Sequence, residues 1–266
     1  MLGSRGLTAC AQYPPRMGGS SARAAGLKAA GVKSRLLRSA VPARRATTVP
    51  DREPTDRDDL AEGTIRFAYG LEPPDGPVAP APVLHALRGW RSVLRRLGLV
   101  GQTPDRYGGL GFGNLSGRDP DDPGQFLITA SQTAGAPDLE EGDLVRILHS
   151  STARFWVDAL GHQPPSSETL THAMIYDADP AVGWVLHGHS PDIWQRAEEL
   201  GLPATPPSVP YGSPDMVDAV AALLDAHRER PLVFVTLGHE DGVFACGATA
   251  AAAGGALAAT LARALS

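Results

Sequence analysis

Between residues 84 and 97, apolar side chains return every three or four positions, at Leu84, Leu87, Trp90, Val93, Leu94 and Leu97, with Arg88, Arg91, Arg95 and Arg96 in the intervals. That period places one apolar stripe along an amphipathic helix, which Gly98 ends. Ahead of it, residues 64–71 are short and mixed, and Glu72-Pro73-Pro74-Asp75-Gly76-Pro77 can only be loop. Further on the pattern changes. Apolar runs at 126–130, 143–148, 182–189, 232–237 and 243–246 have the length and composition of strands. Helical stretches follow or separate them. One opens at Ser166 or Ser167, where serine can cap, and runs through Ala173, Met174 and Tyr176; the others cover 192–200, 215–228 and the Ala-rich 249–265. Several strands are joined too briefly for a parallel crossover. The pattern therefore predicts an α/β fold with a mixed, mainly antiparallel sheet flanked by helices. No repeat of solenoid length is visible. The small residues at 250–255 would let the last helix lie close to a neighbour or a second subunit.

Composition narrows the function classes. The 266 residues suit one ordinary domain, and 24 Lys+Arg against 29 Asp+Glu leave no general basic face for a nucleic-acid partner. No run of eighteen strongly apolar residues predicts a membrane span. Two cysteines, Cys10 and Cys246, are too few for a disulfide framework or a thiolate zinc knuckle. They point to a reducing, cytoplasmic location, and any metal site must then use His and carboxylates. The charge is uneven. Residues 1–50 carry seven Arg and two Lys with no acid, +9, against −5 for the whole chain and so −14 for the other 216 residues. Such an Arg- and Ser-rich start cannot bury enough surface to offset ordering entropy, so residues 1–62 are expected to be a disordered leader and linker before a folded domain at 63–266. The leader fits an organellar transit peptide, or a reading frame opened too far upstream.

The candidate chemistry lies in the folded part. His187-Gly188-His189 ends an apolar strand, and alternate strand residues point the same way, so both imidazoles can reach one ion. Taken alone, such a pair is more often structural. Gly188 would keep the opposite side open. A second strand ends at Leu237-Gly238-His239-Glu240-Asp241-Gly242, which offers a third imidazole with carboxylates beside it, or simply a solvated turn. Glu168, with His172 one turn later, is a candidate ligand or base, although Ser-Ser-Glu is also an ordinary capping sequence. The glycine-dense 107–118, containing Gly113, Asn114 and Ser116, is either a turn or an anion cradle completed by Ser131, Gln132, Thr133, Ser166 and Ser167.

In their order (Gly-Asn-x-Ser, Ile-Thr, Pro-Ser-Ser-Glu, then His-x-His and a strand with His) these motifs resemble the class II aldolase/adducin family over residues 84–265. The resemblance implies a three-layer fold and assigns roles by position. Glu168 of Pro165-Ser166-Ser167-Glu168 would be the acid/base, sitting on the metal when substrate is absent. His187 and His189 would bind a divalent ion, zinc first, with manganese, iron and nickel open. Gly113 and Asn114 would hold a substrate phosphate, and Ser131 and Gln132 match the family only loosely. Two departures stand out. The family's third His directly precedes a Gly, a place held here by Asp241, with His239 two residues earlier. Residues two apart on a strand share a face, so either could ligate, and His239 is preferred because it matches the other two imidazoles. The family's aldolases also carry a tail Tyr toward a neighbouring subunit, and here Tyr211 is the candidate proton donor. The implied protein is a homo-oligomer, a tetramer by resemblance. It would be a metal-dependent lyase of the aldolase type, acting on a small hydroxy-carbonyl or sugar-phosphate substrate through an enediolate. A dehydratase or epimerase of the same substrates, a hydrolase, and a non-catalytic adducin-like association module are the alternatives.

Overall fold

The computed structural model describes residues 62–266, so the expectation of a disordered leader falls, except for Glu62, outside the described residues. Within them the chain runs β1 (Ala68–Glu72), α1 (Ala81–Arg96), β2 (Gly101–Gln102), β3 (Gly111–Phe112), β4 (Asn114–Arg118), β5 (Phe126–Thr129), β6 (Leu144–Ser151) and β7 (Trp156–Gly161). It continues through α2 (Thr169–Ala178), β8 (Trp184–His189), α3 (Pro191–Gln195), β9 (Ala204–Thr205), α4 (Pro214–Ala226), β10 (Leu232–Thr236), β11 (Gly242–Gly247) and α5 (Ala250–Ala264). Nine of these strands form one sheet in the order β1-β7-β6-β5-β4-β8-β11-β10-β9, and β2 pairs β3 separately. Only the two outermost pairs of the large sheet, β1 with β7 and β9 with β10, are parallel. The mixed, mainly antiparallel sheet predicted from the short links is what forms.

Strand side chains alternate between faces, and each face has its own apolar layer. Leu115, Leu127, Leu186, Val243 and Ala245 pack with Leu87 and Leu94 of α1 and with Leu257 and Leu261 of α5. Ile128, Val145, Val185, Phe244 and Cys246 pack with Leu170 and Ile175 of α2 and with Val217 and Val220 of α4. Helix, sheet, helix: three layers result. His187 and His189 follow Val185 at the strand period and so fall on the α2/α4 face, with His187 opposite Asn114 of β4 and Phe244 of β11.

Some elements differ from the sequence expectation. The segment 107–118 is not all loop: β4 is a central strand between β5 and β8, buried along most of its length. Ladder bonds on both sides outweigh its poor strand composition. β7 alternates intermediate and buried residues, yet a Trp-to-Gly stretch with Asp158 in the middle reads weakly as a strand. The helix expected from Ser166 starts at Thr169, because Pro165 is held extended by a bridge to Ala130. The helix expected over 192–200 is regular only to Gln195 and continues as turns. The starts of α4 and α5 follow their caps: Ser213 accepts from the Met216 N–H at 3.1 Å, and Thr249 from the Ala252 N–H at 3.1 Å.

Candidate metal centre

β8 carries His187 and His189 to its end, and the turn between β10 and β11 brings His239 beside them. One ring nitrogen from each lies within 4.8 Å of the others, and all three residues are buried. The rings are fixed by packing. His187 stacks on Phe244 at 4.2 Å between ring centres and on His239 at 5.3 Å. Its Nδ1–H donates to the Val243 carbonyl at 3.1 Å, a bond that orients the ring with Nε2 toward the other histidines. That Nε2 faces the His189 Nε2 at 3.1 Å.

Glu168 closes the group from the cap position of α2. Its Oε2 is 2.9 Å from the His187 Nε2 and its Oε1 is 3.0 Å from the His239 Nδ1. Glu62, just before β1, places Oε2 2.8 Å from the His239 Nε2 and Oε1 3.7 Å from the His189 Nε2. Burial opposes charge throughout the site. It works against a proton on His239, but the Glu168 and Glu62 carboxylates prevail and raise that imidazole to about 10. Burial also favours a neutral Glu168, but His187 and His239 hold it well below the usual carboxylate range. His189, penalised first by burial and then by His239 and His187, is held well below the usual imidazole range and stays neutral. The Glu168 and Glu62 carboxylates therefore flank the His239 imidazolium from its two nitrogens. The Glu168 Oε2 makes no hydrogen bond in this buried space, and a bound cation would satisfy it. The donor set fits a divalent ion that accepts nitrogen and carboxylate oxygen, which would compete with the His239 proton for the same atoms.

Beside the histidines lies a small polar cavity. Gly113, Asn114, Ser131, Gln132, Ser166 and Ser167 all line it, drawn together from β4 and two segments tied by the Ser131 N–H to Pro164 carbonyl bond of 2.9 Å. The Asn114 Oδ1 is buried without a hydrogen-bond partner. Gln132 turns its side chain to accept from the Gly111 N–H at 2.9 Å. Gly113 has φ +79°, and a Cβ there would stand 2.8 Å from the Val100 side chain and 3.0 Å from the His187 carbonyl oxygen. Gly113→Ala should therefore cost about 2 kcal/mol from backbone strain, a fall in Tm of roughly 5 °C for a domain of this size. Thermal denaturation checks it; an unchanged Tm would mean the loop relaxes freely.

Other candidates are placed differently. Residues 239 and 241 lie on a turn and not along a strand, and Asp241 has φ +60°, so the shared-face relation between them does not hold. His239 joins the imidazole group, whereas Asp241 Oδ2 accepts the Tyr107 hydroxyl at 2.7 Å. The space opposite His187 and His189 is not open either: the Leu99 carbonyl packs against Gly188 and accepts the His189 N–H at 2.8 Å. Tyr211 stacks on His239 at 4.5 Å, and burial pushes its phenol up to about 12. His172 turns away from the group, its Nδ1 2.7 Å from the Ser116 Oγ, and burial lowers it to about 3. Thr133 donates to the Ala130 carbonyl at 2.8 Å and holds its own turn. Two neighbours were absent from the sequence reading. Tyr107, whose ring edge meets His189 at 4.7 Å, sits in the glycine-dense stretch already singled out. Glu62 had no local signal, lying in a run of charge and Pro.

Comparison with known proteins agrees with this architecture. The family model described as "Class II Aldolase and Adducin N-terminal domain" matches residues 105–264. Methylthioribulose-1-phosphate dehydratase of Gluconobacter oxydans (strain 621H) is 37% identical over 103 residues, which cover 38% of this chain and 46% of that protein. The enzyme of the same name from Gluconacetobacter diazotrophicus is 33% identical over the same coverage. The matched region thus spans about half the length of these curated relatives. Among solved structures, an L-fuculose 1-phosphate aldolase superposes with a TM-score of 0.54 at 17% identity, over 71% of this chain and 85% of that one. The L-fuculose-1-phosphate aldolase of Thermus thermophilus gives 0.51 at 23% identity, over 70% and 92%. These structural likenesses concern the fold. With the family model covering more than half of its length, the chain belongs to the class II aldolase/adducin family.

Proposed function

We propose that the protein is a divalent-cation-dependent lyase of a small phosphorylated hydroxy-carbonyl compound, and that it removes water from it. The observation that carries this reading is the Glu168 carboxylate, 3% exposed and set within 3.0 Å of both His187 and His239. His187, His189 and His239 would hold the ion. When bound, such a cation, zinc foremost and manganese, iron or nickel on the same donors, supplies Lewis-acid polarisation of a carbonyl oxygen. Glu168, ionised at neutral pH, accepts the proton from the carbon beside the carbonyl. The same carboxyl then returns that proton to the departing hydroxyl, which leaves as water. No second reactant is needed. The Gly113 backbone, the Asn114 amide and the hydroxyls of Ser131, Ser166 and Ser167 hold the phosphate with neutral donors, for no Lys or Arg lines that cavity among the described residues.

Dehydration is preferred to aldol cleavage because the curated relatives with 37% and 33% identity are dehydratases by name, whereas the likeness to aldolases rests on the fold. Carbon–carbon cleavage by the same ion and base is the second reading, with Tyr211, stacked on His239, as its proton donor. A product assay separates them. The zinc-loaded protein should convert methylthioribulose 1-phosphate into a diketone with loss of water, and should release no aldehyde fragment from fuculose 1-phosphate. Aldehyde release would select the aldolase reading. A protein with stoichiometric metal that is inert on both would overturn the proposal.

A further inference from the structure

Glu62 and Gly63 lie where a substrate would have to pass. Both line the polar cavity around Asn114 and Ser166, and Glu62 also lines the neighbouring cleft formed by Tyr107, Leu110, Tyr211 and His239. A compound with its phosphate in the cavity and its carbonyl at the histidines would need the volume that Glu62 and Gly63 now fill. The free space left in the cavity is about 20 Å³, room for one water and too little for a phosphate. Gly63 makes the seal. Its φ is +75°, and a Cβ there would come within 2.1 Å of the Gln132 Nε2, so backbone and cavity wall touch directly. The Glu62 carboxylate meanwhile reaches two of the three histidines, at 2.8 Å from His239 and 3.7 Å from His189.

We propose that Glu62 is a built-in stand-in for substrate: its carboxylate ligates the cation in the resting protein, and a phosphorylated substrate displaces it together with Gly63. This rests on the reading of the three histidines as a cation site. The chain is anchored directly behind them, where Thr64 bonds Tyr211 and Ile65 packs against the α2/α4 layer. The Arg66 guanidinium lies 4.6 Å over the Tyr211 ring and donates to the Tyr211 carbonyl at 2.9 Å, and Phe67 is buried at 1% exposure. Displacement can thus be confined to Glu62 and Gly63, which precede these anchors and belong to neither apolar layer. Charge enforces the exchange: a phosphate in the cavity and a carboxylate beside it repel each other in a water-poor space, so occupancy by one disfavours the other.

The test uses the full chain, with Co²⁺ as probe and acetohydroxamate as a small two-oxygen chelator that competes for open positions on the ion. Glu62→Gln and Glu62→Ala are compared with the wild type. Both variants should bind Co²⁺ about tenfold more weakly in competition with a chelating dye, with an altered visible Co²⁺ spectrum. Once loaded, both should bind acetohydroxamate about tenfold more tightly, because the internal competitor has gone. Unchanged Co²⁺ affinity and spectrum in both variants would overturn the proposal. So would weaker Co²⁺ binding without any gain for the chelator, since Glu62 would then be a fixed ligand. A wild-type protein that binds no Co²⁺ sinks the cation reading itself, a failure distinct from the others.

Discussion

Substituting His187 by Ala is expected to leave the purified protein without its ion, with affinity reduced by more than about a hundredfold. Changes to groups that merely support metal ligands already cost roughly 10–100-fold, and His187 sits at the centre of the group. It faces His189 at 3.1 Å, meets Glu168 at 2.9 Å and is clamped between Phe244 and His239, with Nδ1 tied to Val243. Elemental analysis of the purified variant, followed by competition with a chelating dye, reads the effect directly. Removing a buried ring also leaves a cavity, so His189→Gln serves as a second variant and both are checked for a cooperative melt. If folded His187→Ala retained a full equivalent of ion at wild-type affinity, the three imidazoles would not be the site.

Glu168→Gln should produce the second large effect: turnover lower by about 10²–10⁴-fold, the range typical of losing a positioned acid/base, with metal content preserved. The amide keeps the size of the carboxyl but can neither accept the proton nor carry the negative charge that holds His239 protonated in the metal-free protein. With Glu168 neutral, the His239 imidazole should fall back from about 10, which an NMR titration of the metal-free variant would follow. A Glu168→Gln protein with full turnover at saturating metal would remove Glu168 from the mechanism, whereas a loss of metal without loss of turnover per bound ion would make it only a ligand.

How much of this could be read without coordinates varied with the range of the interaction involved. The Leu84 period marks α1 because i, i+3 and i+4 neighbours alone produce a helical stripe. The apolar runs ending in His187-Gly188-His189 and beginning after Asp241 mark β8 and β11 for the same local reason. Glu168 stood out through the order of several motifs, not through its own surroundings. β4 was missed as a strand because a glycine-dense stretch gains its regularity from β5 and β8, partners distant along the chain. The choice between His239 and Asp241 hung on whether 237–242 is strand or turn, which short-range patterning leaves open.

The sequence alone was enough for the class of fold, the family, and the residue types available to a cation, because periodicity and motif order are written in neighbouring residues. It could not supply the meeting of those residues. Glu62 lies 177 positions from His239, and only the path of the chain into β1 brings its carboxylate to 2.8 Å from that ring. Contacts of that span depend on the packing of whole layers, so tertiary structure decided which carboxylates share the histidines and what now fills the way in.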